Sequence, residues 1–401
     1  MFAKKIDQSL NISKRVFIGP LLCFLFKKFG ISARYRFLNT NSAAIGHLCA
    51  DVDCFIKEKK LEKFDFRGIL LSDQRKCANN DIARLWSNHK DLIVITNPFL
   101  CFLLDYLRIY PETGYDCSKY VALDFSPAEV FNIYNKYNSN VPVIEWDAPS
   151  LKRAEKLFKA VFPNVEKDRI AVLHSRDSTF DSKTKNPNLF TQNYRSSDIR
   201  SFNAILDYLH DRSFTTIRIG EYQGNEVEGP KRYLELPDLD IADTELLNVY
   251  LTSQCTLFIG SASGASQLAT IWGRPIFLVN ILPYSFLRPH PKNSMAIPKL
   301  LLEKNRVVSA LEIFSKKYHW YRNDSDYKSA HLETLSADPN DCIDDFDEFF
   351  RAFVEHDQKL LNDLKTSKQQ VMYSELCPQD AYDYYAESLI PRHYFQKFSL
   401  L

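Results

Sequence analysis

A glycine- and serine-rich turn in the second half of the chain has residue types that bind phosphate. A short apolar run over 256–259 leads into this turn, and a helical pattern follows as far as Ile271. Free N–H groups at a helix start bind anions, and serine hydroxyls add further donors. A serine-capped strand-to-helix turn without a ligand is the alternative. Because the chain has only 11 glycines, we favour a phosphate site formed by Gly260, Ser261, Ser263 and Gly264.

A second cluster follows the apolar run 169–174, which is predicted to be a buried strand. An arginine at its end is unfavourable unless it meets an anion or a carboxylate. Arg176 is therefore predicted to bind a diphosphate, with His174 beside it. Asp177 would orient the ligand or accept a proton. A structural ion pair between Arg176 and Asp177 remains the alternative.

Two further cationic positions belong to the same half of the chain. Tyr194 and Arg195 stand before a helix that begins near Asp198, at the end of the polar loop 180–192. Such a loop would close over a ligand and bring Arg195 to it, or would simply lie on the surface. Arg218 ends the next predicted strand and would contact either the ligand or neighbouring carboxylates.

In the first half of the chain, Gly46 and His47 stand at a strand-to-helix turn. Gly46 would let the backbone approach an acceptor, and His47 would serve as a base or a hydrogen-bond donor. A histidine at a helix start is also typical of a cap or a packed side chain. His47 and Asp177 are the two predicted catalytic bases.

Several other chemistries lack support in the sequence. The glycine turn is followed by no Gly-Lys-Ser/Thr and lacks the G-x-G-x-x-G spacing of dinucleotide folds. Asp51 and Asp53 form a nominal D-x-D pair, but residues two apart on a helix point to different faces. Residues 260–264 match G-x-S-x-G, which makes Ser263 a minor nucleophile candidate. We therefore predict neither a bound metal nor a cofactor.

Strands alternate with helices through most of the chain, which predicts an α/β protein with parallel sheets covered on both faces. We expect two Rossmann-like, doubly wound lobes facing a cleft, followed by a helical C-terminal tail. The predicted segments are an amphipathic stretch (1–30), an acceptor lobe (31–148), a donor lobe (149–340) and the tail (341–401). The strands are predicted over 33–38, 66–71, 92–96, 169–174, 215–219, 256–259 and 275–279, and residues 142–146 are predicted to be either one more strand or the crossing segment. Within the tail, helices are predicted over 341–364 and 378–389.

Composition narrows the function classes. The formal net charge is +1, so no global field attracts nucleic acid. Nine scattered cysteines without a C-x-x-C pair favour reduced thiols and a cytoplasmic location. The apolar run 16–26, flanked by lysine and arginine over 14–28, is too short to span a bilayer. It fits either a peripheral anchor at the inner face of a membrane or a helix packed on the protein.

The ordered set of motifs resembles a family of bacterial glycosyltransferases found with surface-glycan genes. The residues that carry the resemblance are Ile-Gly-His-Leu at 45–48, His-Ser-Arg-Asp at 174–177, Asn-Tyr-Arg-Ser-Ser-Asp at 193–198, Arg-Ile-Gly at 218–220 and Phe-Ile-Gly-Ser-Ala-Ser-Gly at 258–264. The match spans roughly residues 34–280. More loosely, the His-x-Arg and Gly-Ser-x-Ser-Gly motifs are similar to those of fucosyltransferases and other two-lobed GT-B enzymes.

This resemblance implies a metal-independent transferase whose C-terminal lobe holds a nucleotide sugar. The resemblance identifies neither the donor sugar nor the acceptor; we expect the acceptor to be a glycan, a glycolipid or a protein. No Glu-x₆-Glu arrangement follows the late glycine turn, which argues against the common retaining subgroup and favours inversion. A pyruvyl- or acyl-type transferase acting on glycans is one alternative. A non-catalytic nucleotide- or glycan-binding partner is the other.

Overall fold

The computed structural model describes residues 18–120, 129–137, 140–176, 192–220, 232–237, 239–289 and 291–401. These residues form two compact units. The first lies within Met1–Val121 and Val143–Leu151, and the second within Ala122–Pro142 and Lys152–Leu401. The domain limits predicted at residues 30, 148 and 340 stay predictions.

Four parallel strands form the sheet of the first unit, in the order β3-β2-β1-β4. β1 pairs with β2 on one side and with β4 on the other. The chain therefore builds outward from β1 to β3 and then returns to the opposite side of β1. The strands are β1 (Tyr35–Asn39), β2 (Arg67–Leu71), β3 (Leu92–Ile95) and β4 (Gly114–Asp116).

Helices cover both faces of this sheet. On one face, α1 (Gly19–Lys28) and α5 (Pro98–Leu104) pack in one apolar cluster with side chains of β1 and β2. The short α2 (Ile31–Arg34) lies between α1 and β1 in the chain. Neighbouring strand residues alternate between faces, so Gly68 points away from this cluster. There it meets α3 (Ile45–Glu62), which is followed in the chain by α4 (Asn80–Ser87).

Six parallel strands form the sheet of the second unit, in the order β10-β9-β8-β5-β6-β7. Its central strands are continuous buried apolar runs, as sheets covered on both faces require. The strands are β5 (Ile170–His174), β6 (Thr215–Arg218), β7 (Leu234–Glu235), β8 (Leu257–Gly260), β9 (Ile276–Ile281) and β10 (Ser294–Pro298). The helices over this stretch are α6 (Val130–Tyr137), α7 (Ala148–Val161), α8 (Asn203–Asp211), α9 (Ile241–Gln254) and α10 (Ser266–Ile271).

The remaining chain adds a small antiparallel sheet and a set of helices. The sheet has the order β12-β11-β13, with β11 (Leu300–Glu303), β12 (Arg306–Val307) and β13 (Leu332–Leu335). The helices are α11 (Ala310–Ser315), α12 (Asp324–Ser329), α13 (Ile343–Phe353), α14 (Gln358–Lys365), α15 (Lys368–Leu376) and α16 (Arg392–Lys397). No helix in the described part of the chain combines the length and apolarity needed to cross a bilayer.

The predicted α/β class, with two parallel sheets and a helical C-terminal region, is confirmed. That the two lobes face a cleft stays a prediction. Residues 142–146, predicted to be either a strand or the crossing segment, do not form a strand: Val143 and Ile144 are buried without pairing to a sheet. One local prediction is wrong. Residues 378–389 are not a helix; Leu389 instead forms a bridge with Met295 of β10, so tertiary pairing replaces the helix there.

The close packing at Gly68 gives a stability prediction. A Cβ at this position would lie 2.6 Å from the Phe55 ring and 3.0 Å from Leu92. Gly68→Ala is expected to lower the free energy of unfolding by about 1–3 kcal/mol through overpacking. In a Phe55→Leu background the cost should be smaller. Urea denaturation of the four proteins measures both costs, and equal costs would contradict the clash.

Candidate functional site

Each parallel sheet has a point where the strand order reverses. In the first unit, β2 and β3 lie on one side of β1, and β4 lies on the other. In the second unit, β6 and β7 lie on one side of β5, and β8 to β10 lie on the other. Connections leave such a point in opposite directions and open a crevice at the carboxyl ends of the strands, where ligands bind. The two candidate sites therefore lie at the end of β1 and at the ends of β5 and β8.

Ser261 joins the two loops at the second of these points. Its backbone N–H donates to the His174 carbonyl (3.1 Å), and its hydroxyl accepts the backbone N–H of Arg176 (2.9 Å). Ser261 is 1% exposed and Arg176 is 8% exposed. Two motifs that are 85 positions apart in the chain thus meet at one edge of the sheet.

This pairing corrects one expectation about the glycine turn. The Ser261 amide was expected to point at an anion, but it is engaged by the His174 carbonyl. In addition, α10 begins only at Ser266, after the turn. The Ser263 hydroxyl accepts the N–H of Ala265 at 3.3 Å. Ser261 therefore acts as a tie between strands, and a ligand role for the Ser261 hydroxyl, Gly260, Ser263 and Gly264 stays a prediction.

The neighbouring strand β6 shapes the space around His174. Gly220, two residues beyond β6, has a φ of +96°, a conformation that favours glycine. A Cβ there would lie 3.0–3.1 Å from the His174 ring. Arg218 lies 3.5 Å from the Glu235 carboxylate at the end of β7. His174 is thus packed against a glycine, and Arg218 has a carboxylate partner within the sheet.

The segment 193–197 lies across the same edge. The Ser197 N–H donates to the Arg176 carbonyl (2.8 Å), and the Ser175 hydroxyl donates to the Ser197 carbonyl (2.8 Å). The Asp324 carboxylate accepts the backbone N–H groups of Asn193 (3.0 Å) and Tyr194 (2.9 Å). The segment is therefore held at both ends.

This segment places Arg195 against the glycine turn. Its guanidinium donates to the Ala262 carbonyl (3.0 Å) and to the Gln192 side chain (2.9 Å). Burial raises the pKa of the neighbouring Tyr194 to about 12, although the positive charges of Arg195, Arg322 and Arg176 oppose the rise. These three cations therefore lie within electrostatic reach of the Tyr194 hydroxyl.

Sequence reasoning missed two polar residues at this edge. The Lys299 ammonium, directly after β10, donates to the Ser196 carbonyl (2.7 Å), and burial lowers its pKa to about 8. The Asn280 amide near the end of β9 donates to the Ser197 hydroxyl (2.8 Å). Lys299 could have been found from its position directly after a strand. However, residues 294–298 contain serine and proline, so the sequence did not predict a strand there.

At the first reversal point, His47 belongs to a short hydrogen-bonded chain. Its Nδ1 lies 3.0 Å from the Asp51 carboxylate, which also accepts the Thr40 hydroxyl (2.7 Å). The Asp51 side chain is 4% exposed, whereas that of His47 is 41% exposed. The hydrogen bond to Asp51 raises the pKa of His47 despite partial burial. Asp51 thus holds the imidazole ring through Nδ1, and Nε2 is the ring nitrogen that does not contact Asp51.

Asp53 lies apart from this chain. Its carboxylate is 2.7 Å from the Lys57 ammonium, and both side chains are fully buried. Asp51 and Asp53 therefore have different partners, as their spacing on a helix predicted.

Asp177 and residues 180–191 lie outside the described residues. The structure consequently brings together His174, Arg176, Tyr194, Arg195, Gly260 and Ser261 in the second unit, and His47 follows β1 in the first.

Within the described part of the chain, one carboxylate and histidine group has spacing compatible with a metal ion: Asp345, Glu348 and His393. Glu348 is also bound by the Arg392 guanidinium, and Asp345 accepts two backbone N–H groups at the start of α16. Burial raises the pKa of the Asp345 carboxyl. These contacts join α13 to α16, which is a structural role.

No protein-family model matches the chain, and no curated protein matches it. Among solved structures, it is similar to the iron-containing heptosyltransferase TibC in complex with ADP-D-beta-D-heptose, at 15% identity and a TM-score of 0.36. That match covers 64% of this chain, which spans only 59% of the length of TibC.

Two further solved structures are similar at a comparable level. E. coli heptosyltransferase WaaC with ADP has 11% identity and a TM-score of 0.34, covering 66% of this chain and 90% of that one. A family 9 glycosyl transferase from Veillonella parvula has 13% identity and a TM-score of 0.40, covering 73% and 91%. The predicted likeness to fucosyltransferases stays a prediction.

The tie at Ser261 gives a second stability prediction. Ser261→Ala leaves the buried N–H of Arg176 without its acceptor, so the free energy of unfolding should fall by about 1–3 kcal/mol. Ser263→Ala is the matched control, because its hydroxyl accepts one long hydrogen bond in a half-buried turn. Chemical denaturation compares the two. A loss at Ser263 as large as at Ser261 would argue against the tie.

Proposed function

We propose that this chain is a glycosyltransferase. It moves a sugar from a nucleotide-sugar donor to a glycan, lipid-linked or protein acceptor in bacterial surface-glycan biosynthesis. The observation that carries the proposal is the meeting of Arg176, Arg195 and the glycine turn where the second sheet reverses its strand order. The motif resemblance described above supports the same activity. We therefore propose that the second unit holds the donor.

The chemistry of sugar transfer matches the charge at this edge. When the bond between the anomeric carbon and the diphosphate breaks, negative charge develops on the leaving phosphate oxygens. Guanidinium groups bind such oxygens in pairs of hydrogen bonds, and fixed donors stabilise developing charge without reorganisation. Arg176 and Arg195 would supply this stabilisation, which is the basis for proposing a metal-independent, cofactor-free reaction with the nucleotide sugar as substrate.

The acceptor hydroxyl must lose a proton as its oxygen attacks the anomeric carbon. We assign this proton to Nε2 of His47, because the Asp51 carboxylate can only accept and so keeps a hydrogen on Nδ1. Attack on the side opposite the diphosphate gives inversion. Asp177 remains the second candidate base, outside the described residues.

Thermal shift with nucleotides tests the substrate class. The melting temperature of the full chain is measured with GDP, UDP, CMP, dTDP and ADP, and with the sugar conjugates of each. We expect the nucleotide of one base, and its sugar conjugates, to raise the melting temperature. Stabilisation by phosphoenolpyruvate alone would favour a pyruvyl transferase instead. Binding of a nucleotide sugar without turnover of any donor would identify a non-catalytic partner.

Arg176→Ala should reduce sugar transfer or donor hydrolysis by about a hundredfold or more, since one preorganised donor to a leaving group has about that effect. Arg176→Lys should recover only part, because lysine cannot bind two oxygens in a fork. The matched control is Arg169→Ala at the amino end of β5, whose guanidinium donates to the Arg212 carbonyl. Unchanged turnover in Arg176→Ala would rule out its role.

The His47 assignment predicts a pH dependence. A base acts in its neutral form, so transfer should rise with pH as His47 loses its proton. Asp51→Asn replaces the charged acceptor of His47 with a neutral amide, which stabilises the protonated ring less and so lowers the pKa of His47; the acidic limb of the kcat/KM profile should then move to lower pH. His47→Ala should lower kcat by about a hundredfold or more.

His89→Ala serves as the control for this profile, because His89 precedes β3 at the opposite end of the same sheet. Its substitution should leave the acidic limb in place. If Asp51→Asn left the limb unmoved while His47→Ala retained full activity, another group would be the base.

A further inference from the structure

The outer surface of one helical layer in the first unit is apolar. α1 and α5 share one buried cluster, in which Leu22, Cys23 and Phe26 of α1 pack with Cys101 and Leu104 of α5 over the same face of the sheet. The side chains that both helices leave exposed are also large and apolar. They are Leu21 (57% exposed), Phe24 (59%), Phe99 (69%), Leu100 (42%) and Phe102 (41%), with Phe29 (69%) just after α1.

The exposed phenylalanine side chains of the described residues are concentrated in this layer. Every phenylalanine among the exposed large hydrophobic residues of the described chain, namely Phe24, Phe29, Phe99 and Phe102, belongs to this layer. Clustered exposed apolar side chains mark interaction sites, whereas single ones are ordinary. We call the six side chains just named, from Leu21 to Phe102, the apolar layer surface.

The charged residues along α1 are basic, and the two nearby carboxylates, Asp73 and Asp105, are each paired with an arginine. Residues 18–38 include Lys27, Lys28 and two arginines but no aspartate or glutamate, and α5 has no charged residue. Lys27 and Lys28 are exposed at the end of α1, and the Lys28 ammonium lies 5.9 Å from the centre of the Phe24 ring. A hydrophobic face with lysines at its margin is typical of helices that lie in the headgroup region of a membrane.

A depression of about 430 Å³ adjoins the surface and is lined by Arg75, Asn97, Pro98, Phe99 and Phe102. The Arg75 side chain is 65% exposed and is paired with Asp73 (3.0 Å). A guanidinium beside two aromatic rings suits an anionic headgroup attached to an apolar chain.

We propose that the apolar layer surface docks on an anionic lipid bilayer, with Phe24, Phe99 and Phe102 entering the headgroup boundary and Lys27 and Lys28 contacting lipid phosphates. A bilayer is the more suitable occupant than a second copy of the chain, because lipid phosphates supply the negative charge that Lys27 and Lys28 at the margin would meet. This proposal extends the predicted anchor at 14–28 to include α5, and it holds whether or not the chain transfers sugars. Residues 14–17 lie outside the described residues.

Vesicle co-sedimentation of the full chain tests the proposal. The protein should sediment with phosphatidylcholine vesicles in which about a third of the lipid is phosphatidylglycerol, and much less with pure phosphatidylcholine. Leu21→Ser/Phe24→Ser and Phe99→Ser/Phe102→Ser should each weaken binding by about tenfold or more, because both remove apolar area from the interface. Lys27→Gln/Lys28→Gln should weaken it by about tenfold and remove most of its salt dependence.

The control is Leu311→Ser/Val371→Ser, which changes two exposed apolar side chains of the second unit (60% and 47% exposed) and should leave binding unchanged. Unaltered thermal melting of each variant verifies the fold. Failure of the wild type to bind anionic vesicles would overturn the proposal, as would full binding by Phe99→Ser/Phe102→Ser. A lipid-free dimer that this variant makes monomeric would assign the surface to a second copy.

Discussion

The candidate donor site depends on two strands that are neighbours in space but distant in the chain. β5 and β8 lie side by side because the chain turns back to the other side of β5 after β7. Ser261 then fixes the distance between their loops through both its backbone N–H and its hydroxyl. The backbone of Arg176 is held at this point, and its side chain extends from there. The geometry of the site therefore follows from the strand order and from one buried serine.

Several positively charged side chains lie at the same edge, although the chain as a whole has almost no net charge. The formal net charge is +1, yet Arg176, Arg195 and Arg322 all lie close enough to Tyr194 to affect its pKa, and the Lys299 ammonium donates to the nearby Ser196 carbonyl. Lys299 is 5% exposed, and this burial lowers its pKa to about 8. Such groups favour a fixed anion, because they interact strongly and need no reorganisation to meet it.

The first unit combines two different surfaces on one small sheet. The carboxyl end of β1 carries the Thr40, Asp51 and His47 chain, whereas one helical layer exposes phenylalanine and lysine side chains. Both surfaces arise from the helices that cover the two faces of the sheet. α3 provides the polar residues of the turn after β1, and α1 with α5 completes the opposite face while leaving apolar side chains outside.

The sequence by itself determined the α/β class, because alternating apolar strands and amphipathic helices leave few other folds. It also located Arg176, Ser261 and His47 at strand ends, where polar residues seldom serve packing alone. Only the tertiary structure decided that Ser261 is a tie whose amide is already engaged. The same holds for β10 and Lys299, since a strand containing serine and proline becomes a strand through its pairing with β9. The local sequence pattern indicates which residues are buried and which lie in turns. Hydrogen bonds between residues far apart in the chain depend on how the strands pack in the sheet.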